Sequence, residues 1–518
     1  SYLFFHESLH LLRPAAALRL PAFFVNALAL PALYVMGRKL FGRPAGIFAA
    51  LCWFLVPRQF FDAHLACFDM PVAAMWLFVV YAFWRAQESP RWWLYTGVVY
   101  GLAIATKHNA LFIPFVLAPF ALWNAFIGTK QSAEGRRILW QILGLYAGLG
   151  AGFYLLFVFL GPETFQARME PISPHAALYL LFLAGNVVLL WRLRDLSVPA
   201  FRAAACMAAI AFFGPLIFYG SWPYLWHHPV ERTAWYLAFH AQHNQYTWFY
   251  MGKLLREPPF PLDYVVVLTA LTVPLTLFLP MAIGWISVAV RTVAAKALAV
   301  PRTSWAELLL LANGFTSIFL ISLPDVPHFG GTKHWYPSMP FLGLLAGAVV
   351  LRSSKLLQAR LTGYRPKLPA WVGPALLVSV LALPAFVETA RMYQYGTSDY
   401  SELAGGLPGA ATLGMQRQFW SNNVTGVLPW LNQNAPPGAR LWLHEVNGFS
   451  FRDYQRNGML RADLQPAGGP QDAQFAVYQY HQEFREHEYS IWDAFGTQKP
   501  KTGLYVDETP QIVVYQRR

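Results

Sequence analysis

Apolar positions along the chain come in blocks rather than in alternation. About twelve such blocks occupy roughly 18–37, 45–65, 68–85, 93–106, 108–127, 138–160, 174–191, 203–220, 262–290, 306–323, 336–351 and 371–388. Continuous apolar runs of this kind predict membrane-spanning helices, each needing about 20 residues to cross a bilayer. Beyond residue 390 the pattern changes. ARLWLHEV at 439–446, AQFAVYQY at 473–480 and QIVVYQ at 511–516 are short apolar runs bounded by turn residues such as Pro-Pro-Gly at 436–438. They predict strands, with helices over 414–434 and 451–457. The expected architecture is a polytopic α-helical membrane protein over 1–390, followed by a small α/β domain over 391–518.

Composition supports this. Of 518 residues, 56% are hydrophobic and only 13% charged, about half the charged share of a soluble domain. A soluble enzyme, a disordered chain and a disulfide scaffold are excluded. The three cysteines, Cys52, Cys67 and Cys206, have neither disulfide nor metal spacing and suit small buried residues.

Charge gives the orientation. Residues 1–390 carry 28 Lys+Arg against 14 Asp+Glu, and residues 391–518 carry 11 against 12. Alternate loops hold Arg38, Lys39 and Arg43, then Arg85 and Arg91, then Lys130, Arg136 and Arg137, a bias repeated to Lys367. Positive loops face the cytoplasm. The C-terminal region is then expected outside it, as is the N-terminus ahead of the first span. Residues 1–17 do not read as a signal peptide. The simplest expectation is an upstream continuation with a thirteenth span and an outer loop. In this topology all 14 histidines fall at or beyond the outer face, which favours a polar cavity there.

Four stretches carry candidate chemistry. In PRQFFDAHLACFDMP at 57–71, ionisable residues sit at a membrane boundary, where they are costly and usually functional. Arg58 and Asp62 could simply pair at i,i+4, and Asp69 could cap the helix that follows it. In ATKHNALFIP at 105–114, Lys107 and His108 lie at a tight outer turn, where the lysine either snorkels to headgroups or holds a lipid phosphate. The outer loop 221–261 is dense in Trp, Tyr and His. His240 and His243 at i,i+3 share a helix face and suit a divalent metal, Mg, Mn or Zn, as the one candidate cofactor. In DVPHFGGTKHWYPSMP at 325–340, Lys333, His334 and Tyr336 are either an interfacial anchor or a second contact to a donor phosphate. The C-terminal region shows no phosphate loop, nucleophile elbow or zinc spacing, and suits an acceptor-binding or lid module. Asn423-Val-Thr is a formal glycosylation sequon.

The run LRLP at 18–21, GRKLFGRPAG at 37–46, FDMP at 68–71, ATKHNA at 105–110 and WYPSMP at 335–340 resembles the membrane-embedded GT-C glycosyltransferases. The resemblance is to the dolichyl-phosphate-mannose protein mannosyltransferase and lipid A aminoarabinose transferase branch, over about 13–352. It implies inverting transfer of a sugar from a polyprenyl-phosphate donor to a protein, lipid or glycan acceptor on the outer face, with no nucleic acid partner. It implies an acid in the first outer loop as base, expected upstream of Ser1. Asp69 matches the family's later acidic position and Lys107 its Thr-Lys motif, while Arg58 lies near but not at its basic position. The expected site is therefore Asp69 and Asp62 as acids, with Lys107, His108, Arg58, Lys333, His334 and Tyr336 near the donor phosphate. His64, Trp222 and Tyr246 are expected to line the acceptor cavity. The expected compartment is a bacterial inner membrane, with the catalytic face and C-terminal domain in the periplasm. Two other classes fit the composition: a lipid or small-solute transporter or flippase, which internal repeats would favour, and a non-catalytic assembly or sensor protein.

Overall fold

A computed structural model describes residues 1–89, 91–129, 140, 144, 198–241, 246–294, 303–326 and 330–517. The apolar blocks at 138–160 and 174–191 lie almost wholly outside these residues. The others become helices: α1 Pro14–Leu40, α2 Arg43–Phe54, α3 Pro57–Ala63, α4 Asp69–Ala86, α5 Trp92–Thr106, α6 Ile113–Thr129 and α7 Val198–Ser221. After α8 Pro229–Ala241 and a hairpin of β1 Trp248–Tyr250 with β2 Lys253–Leu255 come α9 Tyr264–Thr272, α10 Leu275–Ala294, α11 Trp305–Ile321, α12 Met339–Tyr364 and α13 Val372–Met392. Among the described residues five helical segments are long and apolar enough to cross a membrane, or six with the broken pair α2–α3. The chain is a multi-pass helical membrane protein with a C-terminal sheet.

Two expected spans are interrupted. The block at 45–65 bends by 71° between α2 and α3, where Val56 takes an extended conformation ahead of Pro57. Proline disfavours the helical region for its predecessor, so the helix restarts there. The block at 262–290 splits between α9 and α10, where Val273 is extended before Pro274 for the same reason.

Small residues set the helix contacts. A Cβ on Gly46 of α2 would lie 2.4 Å from the Tyr34 carbonyl oxygen of α1. One on Gly97 of α5 would lie 2.4 Å from that of Ala209 in α7, and one on Gly284 of α10 would lie 2.6 Å from that of Leu345 in α12. Such close backbone approach is how helices gain dispersion energy where no hydrophobic effect drives them together. Polar bonds pin the bundle. Trp76 Nε1 donates to Asn313 Oδ1 at 2.8 Å, tying α4 to α11. Arg291 pairs with Glu307 at 2.6 Å, tying α10 to α11, and Glu307 also closes the capping box with Ser304.

Beyond α13 come a short helix, α14 Gly406–Thr412, and a five-stranded sheet with the order β4-β3-β5-β7-β6, from β3 Arg440–Leu443, β4 Gln465–Pro466, β5 Phe475–Gln479, β6 Thr502–Val506 and β7 Thr509–Gln516. The first three are parallel, while β7 pairs antiparallel with β5 and β6. Alternation divides the faces. Leu441, Leu443, Phe475, Val477, Ile512 and Val514 pack on α15 Leu428–Asn434 and α16 Gly448–Arg456. Ala476, Tyr478, Val513 and Tyr515 pack on α17 Arg485–Phe495. The three predicted strands are present. The helix expected over 414–434 is not: only 428–434 is α-helical, after a 3₁₀ turn at 422–426, and Trp420 and Ser421 adopt left-handed backbone. The Asn423 sequon is also corrected. That residue is 2% exposed and its amide donates to Ser398 Oγ, so it is no surface acceptor.

Candidate functional site

The stretch 57–71 folds as α3, a turn and the start of α4, which sets Asp62 and Asp69 seven residues apart on two helices. Neither does what local spacing suggests. Asp69 caps nothing with its side chain. It forms an ion pair with Lys107 instead, Nζ to Oδ1 at 2.6 Å, with the two side chains 18% and 13% exposed. Lys107 can reach because α5 ends there in an extended residue and a 3₁₀ turn begins at His108. Asp62 does not pair with Arg58. Its Oδ2 accepts a 2.5 Å hydrogen bond from the Tyr336 hydroxyl, which in turn accepts one from Thr332 Oγ1 at 3.0 Å.

Asp62 and Tyr336 are buried, and Lys333 lies in the combined field of Asp69, Lys107 and Asp62. The 3₁₀ segment Gly331–Ser338 that carries Lys333, His334 and Tyr336 packs against α4. Two carboxylates and two ammonium groups thus share one polar cluster. Chemically, such a cluster can hold an anion on the lysines and accept a proton on a carboxylate.

The other expected residues are distributed differently. Arg58 is 3% exposed, and its Nε donates to the Asp399 carbonyl oxygen at 3.0 Å. Its guanidinium lies 4.7 Å from the Tyr400 ring centroid and 5.2 Å from that of Phe419. It therefore clamps α3 to the segment after α13. His64 donates through Nδ1 to the Phe60 carbonyl at 2.6 Å and packs between Phe23 and Phe60. Trp222 belongs to an aromatic group with Phe218, Tyr224 and Tyr236, and Tyr246 is 47% exposed.

His243 lies outside the described residues, and of His240 only the helical backbone is described. Among the described residues no three His, Cys, Asp or Glu side chains converge as a metal site.

The C-terminal region reaches the cluster. The Trp420 ring centroid lies 3.5 Å from Lys333 Nζ. Behind it, Ser421 Oγ donates to Glu445 Oε2 at 2.6 Å, and His481 Nδ1 lies 3.1 Å from the same oxygen. His444 is stacked between Trp442 and Tyr478. Burial, with His481 and His487 nearby, pushes its imidazole down to about 3. Glu445 also lines a cavity of about 500 Å³ with Trp442, Asn447 and Phe451, at the carboxyl ends of β3 and β4. Sequence reasoning missed Phe419 and Trp420. The adjacent aromatic pair and the Gly330-Gly331 pair it covers are visible in the sequence, but nothing there joins them.

The family described as dolichyl-phosphate-mannose-protein mannosyltransferase matches residues 11–140, about a quarter of the chain and the part holding Arg58, Asp62, Asp69, Lys107 and His108. The motifs that carry the resemblance at 18–21, 37–46, 68–71 and 105–110 fall inside that stretch. No curated protein matches the chain. Among solved structures, the Archaeoglobus fulgidus oligosaccharyltransferase in its apo form is 13% identical with a TM-score of 0.41, covering 94% of this chain and 61% of that one. The chain thus spans less than two thirds of that protein. The same protein, AglB, in complex with an inhibitory peptide and a dolichol-phosphate is 12% identical with a TM-score of 0.41, covering 94% and 61%. ArnT from Cupriavidus metallidurans bound to undecaprenyl phosphate is 15% identical with a TM-score of 0.36, covering 96% and 83%.

Proposed function

We propose that this protein is an integral membrane glycosyltransferase that moves a sugar from a polyprenyl-phosphate donor to an acceptor hydroxyl or amide on the outer face of the membrane. The observation that carries this reading is the 2.6 Å Lys107–Asp69 pair inside the family-matched stretch, with Lys333 in the same field. Lys107 and Lys333 hold the donor phosphate, flanked by His108, His334 and Tyr336. A carboxylate, Asp62 or Asp69, takes the acceptor proton. The acceptor atom bonds to the anomeric carbon as the bond from that carbon to phosphate oxygen breaks. The electron pair leaves on polyprenyl phosphate, where the two ammonium groups offset the new charge. Attack opposite the leaving group inverts the anomeric centre.

Residues 391–518 form an extracytoplasmic α/β domain in this reading, by the positive-inside bias of the preceding loops. The membrane is a bacterial inner membrane and the outer face its periplasmic one. Protein, lipid and glycan acceptors all suit the chemistry. No step is routed through a metal.

A turnover assay in nanodiscs with radiolabelled polyprenyl-phosphate sugars, with and without divalent metal, tests this. Acceptor-dependent release of polyprenyl phosphate is expected. No release with any donor, together with solute uptake into proteoliposomes, establishes a transporter instead.

A further inference from the structure

The contact between Trp420 and Lys333 is unusual on three counts. The ring lies 3.5 Å from the ammonium, yet Trp420 is 47% exposed. A tryptophan retained for core packing would bury that surface. Its backbone has φ 66° and that of Ser421 φ 52°, a left-handed conformation that side chains with a Cβ adopt only when their surroundings impose it. The seat beneath is made for the ring. Gly330 has φ +81°, and a Cβ there would lie 2.2 Å from Trp420 Cζ2; Gly331 has φ +68° and would press its Cβ on the Phe419 ring at 3.2 Å.

A latch holds the strained turn. Ser421 Oγ donates to Glu445 Oε2 at 2.6 Å. Glu445 itself has φ 58° and faces His481 at 3.1 Å. The strained residues are thus linked to one another, and the far end of the link is the sheet region, not the bundle. Strained residues of this kind cluster at active sites, ligand clamps and switch segments.

We propose that Trp420 is a gate on the lipid-phosphate site: the C-terminal region holds its ring over the Lys333 ammonium through the Ser421–Glu445 latch, and an entering polyprenyl phosphate displaces it. This rests on the reading of Lys333 as a phosphate contact. The gate makes donor entry compete with a cation–π contact, so it tunes donor affinity without touching the reacting atoms.

The test uses the whole chain in nanodiscs and two measurements. One is the labelling rate of Lys333 by a small amine-reactive anhydride, followed by peptide mass spectrometry. The other is the affinity for undecaprenyl phosphate. In Trp420→Ala, labelling of Lys333 is expected to rise by about fivefold or more and the lipid phosphate to bind about threefold tighter, the scale of a partly exposed cation–π contact. Ser421→Ala, which keeps the ring and cuts the latch, shifts both in the same direction by less. The affinity gain disappears in Trp420→Ala combined with Lys333→Ala. Unchanged labelling overturns the gate, and so does unchanged or weaker binding in Trp420→Ala when the wild type binds. Faster labelling with no undecaprenyl phosphate bound by any variant, wild type included, overturns the donor reading and with it the role given to the gate.

Discussion

The Tyr336 hydroxyl donates a 2.5 Å hydrogen bond to Asp62 Oδ2 across 274 residues of sequence. Both groups are buried, and Thr332 Oγ1 completes the chain behind the hydroxyl at 3.0 Å. This bond fixes the 3₁₀ segment carrying Lys333 against the helix that carries Asp62, so the cluster depends on it.

Tyr336→Phe removes that donor and leaves a buried carboxylate short of a partner. A loss of about 1–3 kcal/mol is expected, the usual cost of an unsatisfied buried group. It would appear as a lower melting temperature in detergent, with transfer reduced in parallel. Asp62→Asn keeps the shape and an acceptor for the hydroxyl, so it should melt nearer to wild type.

Lys107→Ala separates function from folding. The pair it breaks is only partly buried, so the protein should still purify as a folded species. Transfer and polyprenyl phosphate binding should both be lost, because the leaving group loses its nearest cation. Full turnover in this variant removes Lys107 from the donor site.

Gly46→Ala tests the helix contact. Its Cβ would lie 2.4 Å from the Tyr34 carbonyl oxygen, and a backbone atom has no rotamer by which to retreat. Separating α1 from α2 should cost about 1–3 kcal/mol, as overpacking usually does. Thermal unfolding of the purified protein reads this directly. Gly363→Ala, where no atom lies within 4 Å of the new Cβ, is the matched control.

His444 gives the C-terminal region an acid sensitivity. Its imidazole is held down to about 3, against an ordinary value of about 6.5. The folded form stays neutral, while the unfolded chain takes up a proton below the ordinary value. Protons therefore favour unfolding, and stability falls as pH drops from about 6.5 towards 3, by about 1.4 kcal/mol for each pH unit. Hydrogen exchange of the β5 and β7 amides should lose about 2 kcal/mol of protection between pH 6.5 and 5. His444→Phe, which keeps a ring between Trp442 and Tyr478, should lose less over the same window.

Much of the fold is legible in the sequence because it depends on local periodicity. Long apolar blocks can satisfy their backbone in a membrane only as helices. Short runs such as 475–479 and 509–516 alternate between two sheet faces, so their strands were predictable too. Where a proline follows, as at Pro57 and Pro274, the break was also written locally, although the block length hid it. The candidate residue types were legible for a similar reason. A charged side chain at membrane depth is costly, so Asp62, Asp69, Lys107 and Lys333 stand out wherever they fall. Their partners were not. Local spacing offered Arg58 to Asp62 and a cap to Asp69, and packing gave those carboxylates Tyr336 and Lys107 instead. Arg58 went to Asp399, 341 residues away, and Trp420 came to lie on Lys333. Which charges meet depends on distance and desolvation, and both are set by how the helices and the sheet close on one another.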